Sequence, residues 1–290
     1  RTLARASRSG LCRDGFQWSP DSEHISFWQI DANQIRDFYM INNIDSVYSQ
    51  IVPVEYPKVG ESPSPARIGV IELAGNKLIW LNIPGDPQQH YLPRMEWHSP
   101  EQLLVQQLNR KQNHSKILAL NVVQNTSRLV FEEQDEAWID VLSSWEDVYA
   151  LTYRHTFQWI NDGKEFLWMS EKDGWRHLYR IGLDGKETLV TAGDFDVINL
   201  LHFNEKENLV YFHASPYNAT QKYLYKTRLD GKGKAEKVTP AGLEGTHEYA
   251  ISTNGKYGFH IFQNHHTRPV SEWLSLPKHQ PLDKSDDIAS

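Results

Sequence analysis

The chain has 290 residues, 39% hydrophobic and 23% charged, with a net charge of −7. That length supplies one large domain or two small ones, its acidic balance lacks the basic footprint of a nucleic-acid binder, and no apolar run of about 18 residues offers a membrane span. A single cysteine, Cys12, excludes an intrachain disulfide, and an aromatic share of 12% favours pleated, half-buried surfaces and an all-β fold.

Residues 1–9 carry Arg1, Arg5 and Arg8 and read as a frayed end. A repeating unit begins soon after. Phe16-Gln17-Trp18-Ser19-Pro20-Asp21 is an aromatic run closed by a turn, and the apolar Ile25-Ser26-Phe27-Trp28 follows. The same order returns as Phe157-Gln158-Trp159-Ile160-Asn161-Asp162-Gly163 ahead of Phe166-Leu167-Trp168. Weaker copies stand at Trp97-His98-Ser99-Pro100, at Asn204-Glu205 and at Ser252-Thr253-Asn254-Gly255. The turn positions Asp21, Pro100, Asp162, Glu205 and Asn254 therefore mark about five repeats. The later spacings match the roughly 40–50 residues of a four-stranded propeller blade, and the earlier two fit a blade plus an insertion.

From Phe157 the strands of one unit are predicted at about 157–160, 165–170, 176–181 and 187–191. Those of the next fall at about 197–203, 208–213, 222–228 and 235–239. Leu183-Asp184-Gly185-Lys186 recurs as Leu229-Asp230-Gly231-Lys232; Asp-Gly supplies the positive φ of a tight hairpin. The expected architecture is a partial β-propeller of four-stranded blades over 10–281, followed by a polar tail at 282–290.

Local chemistry is sparse. Glu132, Glu133, Asp135 and Glu136 read as a solvated hairpin tip. His265-His266 are neighbours, which a strand would point to opposite faces, and His247-Glu248 lacks the second histidine of a zinc-protease helix. No Gly-rich phosphate loop occurs, so neither a metal nor a cofactor is expected. The strained G-x-S-x-G turn of a serine hydrolase is absent too; Gly60-Glu61-Ser62-Pro63-Ser64 comes nearest. No catalytic residue is expected within the chain.

Several phrases occur in a fixed order: Val54-Glu55-Tyr56-Pro57-Lys58-Val59-Gly60, Asn109-Arg110-Lys111-Gln112-Asn113, Asp173-Gly174-Trp175-Arg176-His177-Leu178-Tyr179, Gly193-Asp194-Phe195-Asp196-Val197 and Ala219-Thr220-Gln221-Lys222-Tyr223-Leu224-Tyr225. Together they resemble the N-terminal propeller region of dipeptidyl peptidase IV and its bacterial relatives, among the prolyl oligopeptidase-type serine peptidases. The resemblance runs over about residues 10–280. It implies an eight-bladed propeller, of which this chain is a part, above an α/β-hydrolase domain of the same parent polypeptide that carries the Ser–Asp–His triad. It further implies dipeptide removal after Pro or Ala, a propeller that gates and orients the peptide substrate, and an extracytoplasmic (periplasmic or secreted) location.

The family also holds the substrate ammonium with a pair of Glu just before the first Trp-Ser-Pro-Asp phrase. Here the stretch from Arg5 to Arg13 has no Glu, and the first in the chain is Glu23. Trp138-Ile139-Asp140 resembles a cavity-facing strand of the family. The candidate substrate contacts are therefore Trp138, Asp140, Tyr153 and Arg154, with Trp138 expected in blade packing and Asp140 as a polar wall. Arg110 and Arg176 are expected to tie neighbouring strands through carboxylates or carbonyls. Tyr179 and Tyr225 are expected between sheets, and Pro57 in an insertion loop returning to its sheet. The alternative reading is a self-standing, non-catalytic propeller that binds a peptide or protein.

Overall fold

The computed structural model describes residues 15–141 and 157–282. The predicted N-terminal stretch 1–9, the tail beyond Leu282, and Tyr153 and Arg154 lie outside them. The chain forms two compact units, residues 1–141 and 142–290. Among the described residues every regular element is a strand, and no helix is long and apolar enough to cross a membrane.

The first unit begins with β1 (Phe16–Trp18), β2 (His24–Ile30), β3 (Asp37–Asn42), β4 (Gln50–Glu55), β5 (Ala66–Glu72) and β6 (Lys77–Trp80). β1, β2, β5 and β6 make a four-stranded sheet, and β3 and β4 form a separate hairpin inserted between β2 and β5. The expected insertion is thus itself paired strand, with Tyr39, Ile41 and Ile51 exposed. The Tyr56-Pro57-Lys58 phrase ends it: Tyr56 N–H donates to the Arg36 carbonyl at 3.2 Å, and Lys58 N–H to Glu61 Oε2 at 2.9 Å. β7 (His90–Ser99), β8 (Gln102–Asn109), β9 (His114–Asn121) and β10 (Thr126–Gln134) meander into the second sheet. Ile68 and Val70 of the first sheet pack with Met95, Leu103, Val105 and Leu118 of the second. Each sheet also gives an indole to the other: Trp28 Nε1 donates to the Leu92 carbonyl at 2.8 Å and Trp97 Nε1 to the Gln17 carbonyl at 3.3 Å.

The second unit holds three meander sheets. The third sheet has β11 (Gln158–Ile160), β12 (Glu165–Ser170), β13 (His177–Gly182) and β14 (Glu187–Leu189). The fourth has β15 (Val197–Asn204), β16 (Leu209–Ala214), β17 (Tyr223–Arg228) and β18 (Glu236–Lys237). The fifth has β19 (Thr246–Ile251), β20 (Tyr257–Asn264), β21 (Thr267–Ser275) and β22 (Gln280–Pro281). Leu167, Leu178, Val210, Phe212 and Tyr225 form the core of the third and fourth sheets; Tyr211, Leu224, Tyr249 and Leu274 form that of the fourth and fifth.

The repeat is visible in the turns. Asp21, Pro100, Asp162, Glu205 and Asn254 each fall between the first two strands of a sheet. Asp21 Oδ1 accepts Glu23 N–H at 3.1 Å, and Asn254 Oδ1 accepts Lys256 N–H at 3.0 Å, the same side-chain turn in the first and fifth sheets. β14 and β18 stop before their predicted ends for one reason. Val190 and Val238 continue the pairing by donating to the Leu178 and Leu224 carbonyls at 2.8 Å, but the next acceptor is a threonine hydroxyl in place of a backbone carbonyl.

Candidate functional site

The phrase Asn109-Arg110-Lys111-Gln112-Asn113 is the turn that joins β8 to β9. Asn109 Oδ1 accepts the N–H groups of Asn113 and His114 at 3.0 and 3.1 Å, and its Nδ2 donates to Asn113 Oδ1 at 2.8 Å. Gln112 takes a φ of 51°, and this aims its carbonyl outward at the chain leaving β10. There Asp135 N–H donates to the Asn113 carbonyl at 3.0 Å and Ile139 N–H to the Gln112 carbonyl at 2.7 Å. The turn thus fixes the path of Asp135 to Asp140.

Asp135 shapes that path from within. Its Oδ1 accepts Ala137 N–H at 2.7 Å and Trp138 N–H at 3.0 Å, and these donors hold its carboxyl below the usual carboxylate range. Trp138 leaves this turn 53% exposed, and Asp140 is exposed as well. In place of the expected blade packing, the indole of Trp138 stands half open to solvent, because the chain has left the β9–β10 ladder at Gln134. An exposed indole and an exposed carboxylate on one tethered segment offer a face for a cation or an apolar side chain and an acceptor for an ammonium. Of the four candidate contacts, the structure brings Trp138 and Asp140 onto one segment; Tyr153 and Arg154 fall outside the described residues.

The acidic run is also redistributed. Glu132 and Glu133 belong to β10 rather than to a hairpin tip, because the pairing with β9 runs on to Gln134 opposite His114. Glu132 Oε2 lies 3.0 Å from His114 Nε2, and Glu133 is buried. Arg110 does tie two strands, but its partner is the Tyr91 hydroxyl of β7, with the guanidinium 5.1 Å from that ring.

In the second unit two phrases interlock. The turn after β12 carries Asp173, and His177 at the start of β13 is 2% exposed, its Nδ1 2.8 Å from Asp173 Oδ2 and its Nε2 2.9 Å from the Gly193 carbonyl. Arg176 N–H donates to Asp196 Oδ1 at 2.8 Å, and Val197 N–H donates back to the Arg176 carbonyl at 2.7 Å. In its own hairpin, Arg176 Nε lies 3.2 Å from Glu171 Oε1. Tyr179 and Tyr225 are buried, and Tyr225 stacks on Phe195 and Phe212 at 6.3 and 6.0 Å. These phrases join the end of one sheet to the start of the next.

His265 and His266 in fact sit in the exposed turn between β20 and β21, and not within a strand. Among the described residues, a group of ligating types gathers elsewhere: His260, Glu272 and His279. Its members come from β20, β21 and the link to β22. No local spacing announces them; the hairpin register pairing His260 with Glu272 does.

A family model described as the dipeptidyl peptidase IV (DPP IV) N-terminal region matches residues 12–269. Dipeptidyl peptidase 4 of Trichophyton rubrum is 24% identical over 254 residues, which cover 84% of this chain and 31% of that protein. The crystal structure of Porphyromonas gingivalis dipeptidyl peptidase 4 superposes with a TM-score of 0.78 at 22% identity, over 95% of this chain and 37% of that one. A dipeptidyl aminopeptidase IV of Bacteroides ovatus gives 0.73 at 20% identity, over 92% and 39%. These structures share the fold, a β-propeller of four-stranded blades. The chain spans about a third of the length of the curated relatives it matches.

Proposed function

The chain belongs to the family of dipeptidyl peptidase IV N-terminal regions, and on that footing we propose that it is the propeller portion of a serine-type dipeptidyl exopeptidase. In this reading the propeller gates and orients a peptide, and an α/β-hydrolase domain of the same parent polypeptide supplies the nucleophile. The observation that carries the reading to named residues is the tethered segment from Asp135 to Asp140. It presents an exposed indole and an exposed carboxylate, and it is anchored at both ends to the β8–β9 turn.

The division of labour follows from what each group offers. Asp140 supplies a negative charge for the free N-terminus of the peptide, a task made more pressing by the lack of Glu between Arg5 and Arg13. Trp138 covers the apolar part of the first residues. Such contacts hold ground state and transition state alike, so they set KM more than kcat. Hydrolysis of Xaa-Pro anilides by the parent polypeptide tests this. Asp140→Asn and Trp138→Ala are each expected to raise KM about fivefold, about 1 kcal/mol of binding, with kcat held within about twofold. Unchanged KM in both variants overturns the assignment.

A further inference from the structure

A chain of hydrogen-bonded histidines is buried in the fifth sheet. His247 of β19, His260 of β20 and His279 are 0%, 1% and 6% exposed. His247 Nε2 lies 3.0 Å from the Leu243 carbonyl. A carbonyl only accepts, so this nitrogen carries hydrogen. Neutral His247 then presents Nδ1 as an acceptor, and His260 Nε2 faces it at 2.9 Å, so His260 donates from Nε2. That leaves the Nδ1 lone pair of a neutral His260 pointing at Glu272 Oε1, 2.8 Å away. Two acceptors hold that distance only with a proton or a metal ion between them.

The third group decides which cation fits. One ligand atom from each of His260, Glu272 and His279 lies within 4.8 Å of the other two. We propose that these three residues bind a divalent transition-metal ion of the zinc type, which displaces the proton between His260 and Glu272. Tetrahedral bonds of about 2.0–2.1 Å set ligand atoms roughly 3.3 Å apart, so His260 Nδ1 and Glu272 Oε1 part from 2.8 Å while the His279 ligand atom, within 4.8 Å of both, draws in. The outer shell is already oriented. His260 Nε2–H is held by His247, His247 by the Leu243 carbonyl, and His279 Nε2 lies 2.8 Å from the Tyr249 hydroxyl. The Glu272 side chain is 32% exposed, which gives the ion its entry and a water the fourth position.

His177 provides the contrast. It also lies between a carbonyl and a carboxylate, but among the described residues no third ligand atom converges on it. At the His260 site, binding sends the proton that otherwise bridges His260 and Glu272 into solvent, about one per ion. The bound ion pins β20, β21 and the link to β22 together. The proposal does not depend on peptidase function.

The test is titration of chelator-stripped protein with Zn2+ and Co2+. The expected result is one ion per chain at micromolar concentration, the visible absorption of four-coordinate Co2+, release of about one proton, and a raised Tm. Glu272→Gln and His279→Gln are expected to weaken binding at least about tenfold, whereas His266→Ala, on the exposed turn, leaves it unchanged. X-ray absorption on the wild-type complex, expected to read two imidazoles and one carboxylate, decides the matter if either variant fails to fold. Wild-type protein that takes up no ion, or whose ion lacks imidazole ligands, overturns the site. So does undiminished binding in folded Glu272→Gln and His279→Gln.

Discussion

Thr191 Oγ1 accepts the backbone N–H of Leu178 at 2.9 Å, and Thr239 Oγ1 accepts that of Leu224 at the same distance. In the third and fourth sheets alike, the last strand ends where a side-chain hydroxyl replaces the next carbonyl of the ladder. Both threonines are buried, at 1% and 2% exposed, so each donor would otherwise lie unpaired away from water.

Thr191→Val keeps the shape and removes the acceptor. It is expected to cost about 1–3 kcal/mol in urea denaturation, the penalty of a buried unsatisfied N–H, while Thr191→Ser costs less than about 1 kcal/mol. Thr239→Val is expected to cost more than Thr191→Val, because the Thr239 hydroxyl also lies 3.0 Å from the Tyr249 hydroxyl. Equal stability of Thr191→Val and wild type would contradict the role of the hydroxyl.

Gly231 closes the second Leu-Asp-Gly-Lys turn with a φ of 72°, and an added Cβ would stand 2.4 Å from the Leu189 carbonyl oxygen of the preceding sheet. Gly174 also has a positive φ, 97°, but its Cβ would meet nothing. Gly174→Ala is therefore expected to cost about 1–2 kcal/mol, the backbone penalty alone. Gly231→Ala is expected to cost at least about 1–3 kcal/mol more through overpacking. Thermal denaturation of the pair checks this, and equal losses would contradict the close approach.

Burial holds His213 of β16 well below the usual imidazole range. The unfolded chain therefore binds a proton near pH 6.5 that the folded chain refuses. Its contribution to stability is fully present above about pH 6.5 and falls as pH drops towards the lowered folded value, by up to about 1.4 kcal/mol per pH unit. His213→Gln is expected to flatten this slope between pH 6.5 and 5 in a urea series. Equal slopes would contradict the buried neutral state.

Asp135 supports the proposed peptide contact by shaping the turn into Trp138. Asp135→Ala removes the acceptor of two backbone N–H groups and is expected to raise KM of the parent peptidase several-fold. Asp135→Asn, whose amide oxygen accepts the same bonds, is expected to restore it. Glu136→Ala is the matched control, since among the described residues no hydrogen bond to the Glu136 side chain shapes this turn. A KM that ignores all three changes separates the turn from substrate binding.

Much of the fold was legible in the sequence because its signals are local. Asp21, Asp162 and Asn254 announce hairpin turns by residue type, and the aromatic runs beside them announce strands of period two. β3 and β4 were less legible, because Tyr39, Ile41 and Ile51 are exposed and no alternating buried face marks them. The exposure of Trp138 was not legible either: it depends on Gln112, across a turn, catching Ile139. His260, Glu272 and His279 were the least legible, since only the pairing of β20 with β21 and the return to β22 draws them together.

The most direct test of the account is the intact mass of the natural polypeptide containing these residues, with sequencing of both its ends. The account predicts a mass well above 33.7 kDa and a downstream α/β-hydrolase segment bearing a G-x-S-x-G turn. A polypeptide of about 33.7 kDa that begins close to Arg1 would contradict it and leave a non-catalytic propeller in its place.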